Sequence, residues 1–370
     1  MSETVQRYRA SGPGFAEGEV IDRIESFRRR RPRLREDRIT LAHGAGGKSS
    51  QALVDAVFLE AFRNPALADL GDGAVLSPPA GRRIAVSTDS FVVSPRRFPG
   101  GSIGHLAVHG TVNDLAMAGA EPRWLTAAFV LAEGLAVEEL KEIVADMAAA
   151  AADAGVAIVA GDTKVVPQGA ADGLYITTTG VGHVPDGREL GAAAVRPGDR
   201  VVLSGFMGDH GMAIMLARGD LAIEADIRSD TAAVAGAVAD LLAAAPATRW
   251  LRDPTRGGVG TVCNELAAAS GLGVVLDEEA LPVRPVVAGA CEMLGIDPLY
   301  VANEGKFLAV LAPDEADAGL AALRAHPLGA DAAAIGTVIG EPAGTVVLRT
   351  GFGGTRIVDT LVGDPLPRIC

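Results

Sequence analysis

Cysteine is scarce in this chain: Cys263, Cys291 and Cys370 are the only three among 370 residues. So few and so scattered, they support neither a disulfide framework nor a cysteine-rich zinc site. They suit a reducing, cytoplasmic setting. Long apolar runs are missing too, since none approaches the ~18 residues that span a bilayer. The N-terminus has arginines but lacks the apolar segment of a signal peptide. A basic surplus is also absent: 33 Lys and Arg face 46 Asp and Glu, giving a net charge of −13. That argues against general nucleic-acid binding, where phosphates must be neutralised. A local nucleotide site remains open, because backbone N–H groups and a metal suffice there. Aromatics make up only 4% while glycines number 46, so Ala and Val must fill much of the core.

The length suggests two domains. Residues 1–38 stand apart, with seven arginines from Arg28 to Arg38 and Pro32 among them. That composition predicts a solvated, disordered arm. From Ile39 the texture becomes α/β. Short β-branched runs (84–87, 157–159, 175–181, 201–203, 274–276 and 307–311) alternate with Ala- and Leu-rich stretches. Leu140, Ile143, Val144, Met147 and Ala151 recur at three or four residues, which predicts a helix from about Ala136 to Ala154. A second helix is expected from Ser102, as N-cap, to about Ala118. Pro185, Gly187, Gly191 and Pro197 mark a linker, dividing the chain into 39–184 and 195–360, with a tail at 361–370.

Several motifs could carry chemistry. After the strand-like Ile39–Leu41 comes His-Gly-Ala-Gly-Gly-Lys-Ser-Ser (43–50). It is a near miss for a phosphate-binding P-loop, with Ala42 at the first glycine position. Four aspartates, Asp72, Asp89, Asp114 and Asp162, fall in loops, at strand ends or inside an apolar helix. Oxygen-rich sets of this kind suit Mg²⁺ bridging a triphosphate. The second half offers three glycine-edged polar clusters, at 208–211, 253–258 and 302–306, which read as loops facing a site or as simple turns. His105 and His109 share a helix face but lack a metalloprotease glutamate. The final segment, Asp-Pro-Leu-Pro-Arg-Ile-Cys (364–370), is stiffened by two prolines and ends in a thiol. It reads as a carrier arm, and Cys370 is wrongly placed for prenylation.

Together these motifs, above all the terminal Pro-Arg-Ile-Cys, resemble the HypE family of carbamoyl dehydratases in [NiFe]-hydrogenase maturation. That family belongs with the aminoimidazole ribonucleotide synthetase and selenophosphate synthetase superfamily. The resemblance spans about 39–370. It implies an α/β chain of the α+β type with two domains, mixed sheets covered by helices, and a flexible C-terminal tail. Residues 39–184 would form the ATP-binding and dimerisation domain. ATP would be held by Gly44, Gly46, Gly47, Lys48, Asp89, Asn113, Asp162 and Thr163, and Mg²⁺ by Asp72, Asp89, Asp114 and Asp162. Cys370 would carry the carbamoyl group, Glu304 would act as base with Lys164 beside it, and His210 would stand in reserve. Implied partners are the carbamoyltransferase HypF, the HypC–HypD iron scaffold and a second copy of the chain, with no membrane and no nucleic acid. Two rivals remain: another ATP-dependent enzyme of the superfamily acting on a small molecule, or a nucleotide-binding scaffold without catalysis. One departure concerns Gly71-Asp72-Gly73, where superfamily members often have paired acids.

Overall fold

A computed structural model describes residues 34–44, 48–64, 83–219 and 225–360. The first helix, α1 (Lys48–Leu53), runs on through a π-helical turn, Val54–Phe58, into Leu59–Ala61. Strand β1 (Arg83–Phe91) follows, then the short β2 (Arg97–Phe98) and β3 (Gly101–Ser102). Helix α2 (Ile103–Met117), β4 (Glu121–Ala132), α3 (Val137–Asp153), β5 (Ala157–Val166) and β6 (Leu174–Val184) complete the first domain. Its main sheet has the order β1-β6-β4-β5, with only the β4–β5 pair parallel.

Local chemistry sets these elements. Ser102 caps α2, its hydroxyl accepting from the Gly104 N–H at 3.2 Å, which satisfies one orphan donor of the first turn. In α3 the expected stripe, Leu140 to Ala151, is buried, and Glu138 and Glu139 sit in the first turn, where acids suit the helix dipole. Along β4, Leu125, Ala127, Phe129 and Leu131 enter one core with α2 and α3. The intervening Thr126 and Ala128 are exposed. No helix covers that second face among the described residues, as period-two alternation allows. Ile84 and Val86 of β1 stand 54% and 65% exposed.

Residues 185–199 lead to the second domain. It contains β7 (Arg200–Leu203), α4 (Asp209–Ala217), α5 (Ala235–Ala244), β8 (Trp250–Arg252), α6 (Gly258–Ser270) and β9 (Gly273–Asp277). Then come α7 (Pro285–Leu294), β10 (Leu308–Leu311), α8 (Ala316–Ala325), β11 (Ala333–Ile339), β12 (Val346–Arg349) and β13 (Thr355–Val358). Seven strands pair in the order β13-β12-β9-β11-β7-β10-β8, and only β12–β9 is parallel. Near-continuous apolar strands, such as β10 with all four residues buried, mark a sheet covered on both faces. The fold is thus two-domain α/β with mixed sheets. Among the described residues no helix is long and apolar enough to cross a membrane.

Two local expectations are corrected. Ile39–Leu41 forms no strand. Arg38 makes an isolated bridge to Ala136 and the chain then enters a 3₁₀ turn, Leu41–Gly44. The His43 imidazole holds that turn, taking the Thr40 N–H at 3.0 Å and meeting its hydroxyl at 3.1 Å. Asp162 does not end its strand either, because β5 continues to Val166.

The domains are locked at one junction. Asn113 of α2 is fully buried and donates to the carbonyls of Ala232 (3.0 Å) and Glu304 (2.9 Å), while accepting from the Val234 N–H (2.8 Å). Ser229 donates its N–H to the Pro99 carbonyl, and His109 meets the Thr231 hydroxyl at 3.0 Å. Replacing Asn113 by Ala strands three buried backbone groups, and should cost about 3 kcal/mol or more in chemical unfolding. Unchanged stability would mean that those groups find other partners.

Candidate active site at the domain junction

A cavity of 610 Å³ opens between the two sheets. β1 contributes Ser87, Thr88 and Asp89, and α2 contributes Asp114. The second domain supplies Arg252, Asp253, Thr255, Arg256 and Glu265. Asp89 lies near the end of β1, and Asp114 faces it from α2 and accepts the Ser87 hydroxyl at 2.6 Å. Asp253 follows directly after β8 and is buried.

These carboxyls are poorly compensated. Burial raises the Asp114 pKa, against the Ser87 hydrogen bond, and the Asp89 charge adds to the rise. Asp253 is pushed up to about 7 by burial first, then by Asp114 and Asp89. Like charges out of water suppress one another's ionisation, and such shifts cluster at functional sites. Two guanidinium groups border the same space. Arg256 lies 3.6 Å from Asp89, and Arg252 lies 3.5 Å from Glu265. Anionic oxygens beside guanidiniums make a mixed lining, suited to a cation on one wall and phosphates on the other.

Next to the cavity sits a second, drier cluster. The Glu304 side chain is 3% exposed. Its pKa is raised well above the usual carboxylate value, by burial first and then by Asp230, Asp253, Asp89 and Asp114. Its Oε1 lies 3.9 Å from His210 Nε2, and His210 Nδ1 meets the Ser229 hydroxyl at 2.8 Å. Asp230 accepts the Glu304 N–H and lies 3.9 Å from Lys306. The three glycine-edged motifs of the second domain converge here through Asn303. This side chain accepts the Gly208 N–H at 2.7 Å and donates to the Pro254 carbonyl at 2.9 Å. Gly208 can take this position because its φ is +88°. Gly305 permits a close crossing, since a Cβ there would lie 1.9 Å from the Asp230 carbonyl oxygen.

The expected residues divide into groups. Asp89 and Asp114 line the cavity, and Glu304 and His210 stand together behind it. Asn113, expected to hold ATP, spends its amide on three backbone groups of the junction instead. Asp162, Thr163 and Lys164 lie on β5, at the opposite edge of the sheet from β1. Asp89 is level with Thr178, Thr178 with Ala127, and the adjacent Ala128 with Asp162. Three strand spacings separate Asp89 from Asp162, roughly 14 Å. Within one chain Asp162 therefore does not converge with Asp89. Lys164 pairs with Asp162 at 3.4 Å rather than with Glu304, and both partners are largely exposed. Gly44 closes the 3₁₀ turn and Lys48 opens α1. Gly46, Gly47, Asp72 and Cys370 lie outside the described residues, as do the arginine arm before Leu34 and the tail 361–370. Asp253 was missed. Its motif was visible after an apolar strand, but its carboxylate neighbours come from the other domain.

Among the described residues no three acidic, histidine or cysteine side chains stand close enough to hold a metal by themselves. The donor set still fits Mg²⁺, which binds through one or two carboxylates and completes its shell with water and phosphate. Asp89, Asp114 and Asp253 are hard oxygen donors with an excess of negative charge.

Residues 70–184 match the family model of the AIR synthase related protein N-terminal domain, and 196–349 match the C-terminal domain of the same family. The carbamoyl dehydratase HypE of Rhodobacter capsulatus is 54% identical over 340 residues, covering 91% of this chain and 99% of that protein. Among solved structures, a hydrogenase maturation protein HypE in complex with ATP is 46% identical, with a TM-score of 0.86, over 89% of this chain and 99% of that one. A HypE–HypF complex contains a chain 47% identical, with a TM-score of 0.74, over 84% of this chain and 100% of its own. With the two domain models matching in order and identity above half over nearly the full length, the chain belongs to the HypE family of carbamoyl dehydratases within the AIR synthase related proteins.

Proposed function

We propose that the chain is an ATP-dependent carbamoyl dehydratase of hydrogenase maturation, converting an S-carbamoyl group on Cys370 into a thiocyanate. One observation carries the reading: a chain 54% identical to a carbamoyl dehydratase sets an acid- and arginine-lined cavity of 610 Å³ at its domain junction. The resemblance to a structure holding ATP supports a nucleotide there. The complex of a close relative with HypF supports a HypF-type carbamoyltransferase as the partner that loads the thiol. In this reading the cyanide passes to an iron-bearing HypC–HypD complex. Two buried, free cysteines, Cys263 and Cys291, fit a cytoplasmic location.

The chemistry follows from the carbamoyl group. Its amide oxygen leaves poorly as hydroxide and well once phosphorylated. The S-carbamoyl thiol and ATP give S–C≡N, ADP and phosphate, so a C–O bond breaks and both N–H protons depart. Asp89, Asp114 and Asp253 would hold Mg²⁺, which supplies charge neutralisation at the phosphates. Once ionised, Glu304 would be the proton acceptor, a stronger base than an ordinary carboxylate because its pKa is raised. His210, against Glu304 on one side and Ser229 on the other, holds that carboxyl in place. The uncovered face of the first sheet, with Ile84 and Val86 exposed, suits pairing with a second copy. Roles for Asp162, Thr163 and Lys164 require that copy, given their distance from Asp89.

Intact mass tests the reaction. With carbamoyltransferase, carbamoyl phosphate and ATP, the wild type should gain about 43 Da and then lose about 18 Da, as expected for loss of water from the carrier thioester. Cys370→Ala should stay unmodified. A chain that hydrolyses ATP but is never modified would favour a small-molecule enzyme of the superfamily instead.

Glu304 gives a second test. A carboxyl whose folded pKa is raised contributes fully to stability at low pH, and that contribution is lost as pH climbs through the raised value. Glu304→Gln should therefore melt at or above the wild-type temperature at alkaline pH and differ little in acid. Its dehydration rate should fall at least ~100-fold. The wild-type rate should rise with pH as Glu304 ionises. A variant that melts lower at every pH would make the Glu304 carboxyl a structural group.

A further inference from the structure

We propose that Arg256 reads the terminal phosphate of the nucleotide, resting on Asp89 in this structure and passing to the γ-phosphate when Asp89 is taken by a divalent cation. The inference rests on the nucleotide reading above and adds a residue to it. Arg256 belongs to the second domain but reaches across the cavity, its guanidinium 3.6 Å from the Asp89 carboxylate of the first. The two partners are 76% and 36% exposed, so their attraction is screened and readily exchanged.

The backbone beneath Arg256 is fixed while its side chain is free to turn. Gly257 and Gly258 have φ of +72° and +61° and open α6. A Cβ on Gly258 would lie 2.5 Å from the Leu299 carbonyl oxygen and 2.7 Å from that of Val301. The loop therefore packs tightly against the second domain, and the arginine swings from a rigid base.

Charge decides where it goes. Asp89 is the carboxylate that Arg256 and a metal ion would share, whereas Asp114 already accepts the Ser87 hydroxyl and Asp253 is buried. A dication on Asp89 weakens the guanidinium's hold on the same oxygens and repels it. The nearest anion is then the phosphate bound to that dication. A guanidinium fork fits two phosphate oxygens side by side. Arg252 is less available, being paired with Glu265 on its own domain. During transfer the bridging P–O bond to ADP breaks and a P–O bond to the carbamoyl oxygen forms. Arg256 makes and breaks no covalent bond in this step and only exchanges its ion pair with Asp89 for the phosphate oxygens.

Calorimetric titration tests the assignment, comparing Mg²⁺–ADP with the Mg²⁺ complex of the non-hydrolysable β,γ-imido analogue of ATP. Wild type should bind the triphosphate more tightly. Arg256→Ala should lose at least tenfold in affinity for the triphosphate and stay within about twofold for ADP, and Arg256→Lys should fall between. Its melting temperature without nucleotide should match the wild type, because the pair it loses is exposed. Equal losses for both nucleotides, or none for either, would overturn the proposal. A wild type that binds neither nucleotide would overturn the parent reading, and this one with it.

Discussion

Like charge held close together, most of it away from water, is the constraint on which the rest of this structure depends. Asp89 and Asp114 come from one domain, and Asp253 and Glu304 from the other. Asp89 raises the cost of ionising the other three, Asp114 that of Asp253 and Glu304, and Asp253 that of Glu304. Folding alone gives no reason to gather them, since an unpaired buried carboxyl costs stability. The arrangement makes physical sense when a cation and its phosphates are the missing counter-charge. Stability is then lowered at the site that a ligand will occupy, a common trade at functional sites.

Holding that arrangement falls to neutral amides. Asn113 ties α2 to the segment 232–234 and to the Glu304 carbonyl, and Asn303 ties the Gly208 turn to the Pro254 loop. Both are buried with their hydrogen bonds met, so they lock the junction without adding charge to it. Glycines perform the same service sterically. Gly305 lets the Glu304 loop cross the Asp230 backbone, and Gly258 lets α6 start against Leu299 and Val301. Two separate sheets thus present one cavity whose acids come from both domains and whose arginines come from the second.

Much of this was legible in the sequence where the signal is local. The Ser102 cap and the three-to-four spacing of Leu140, Ile143, Val144 and Met147 give α2 and α3 to within a residue or two. The polar motifs of the second half could be read as loops facing a site or as simple turns, and the structure brings them together through Asn303. The failures are non-local. Nothing near Asp162 reveals that β5 lies three strands from β1, so its grouping with Asp89 fails within one chain. An asparagine in an apolar helix looks equally suited to a cofactor or to a backbone clasp, and only the partner segment 232–234 decides for Asn113. The reading of Ile39–Leu41 as a strand failed because His43 hydrogen-bonds back onto Thr40. The terminal thiol, the most specific sequence feature, lies outside the described residues.

Thermal unfolding of wild type and Asp253→Asn, each with and without Mg²⁺ and a non-hydrolysable ATP analogue, tests the central claim most directly. Asparagine keeps the shape of the protonated side chain and removes its charge. If the carboxylates are held together for a cation and its phosphates, Asp253→Asn will melt higher than wild type without ligand and will lose most of the ligand-induced rise. A variant that melts lower without ligand and keeps the full rise would contradict the account, and would make Asp253 part of the scaffold.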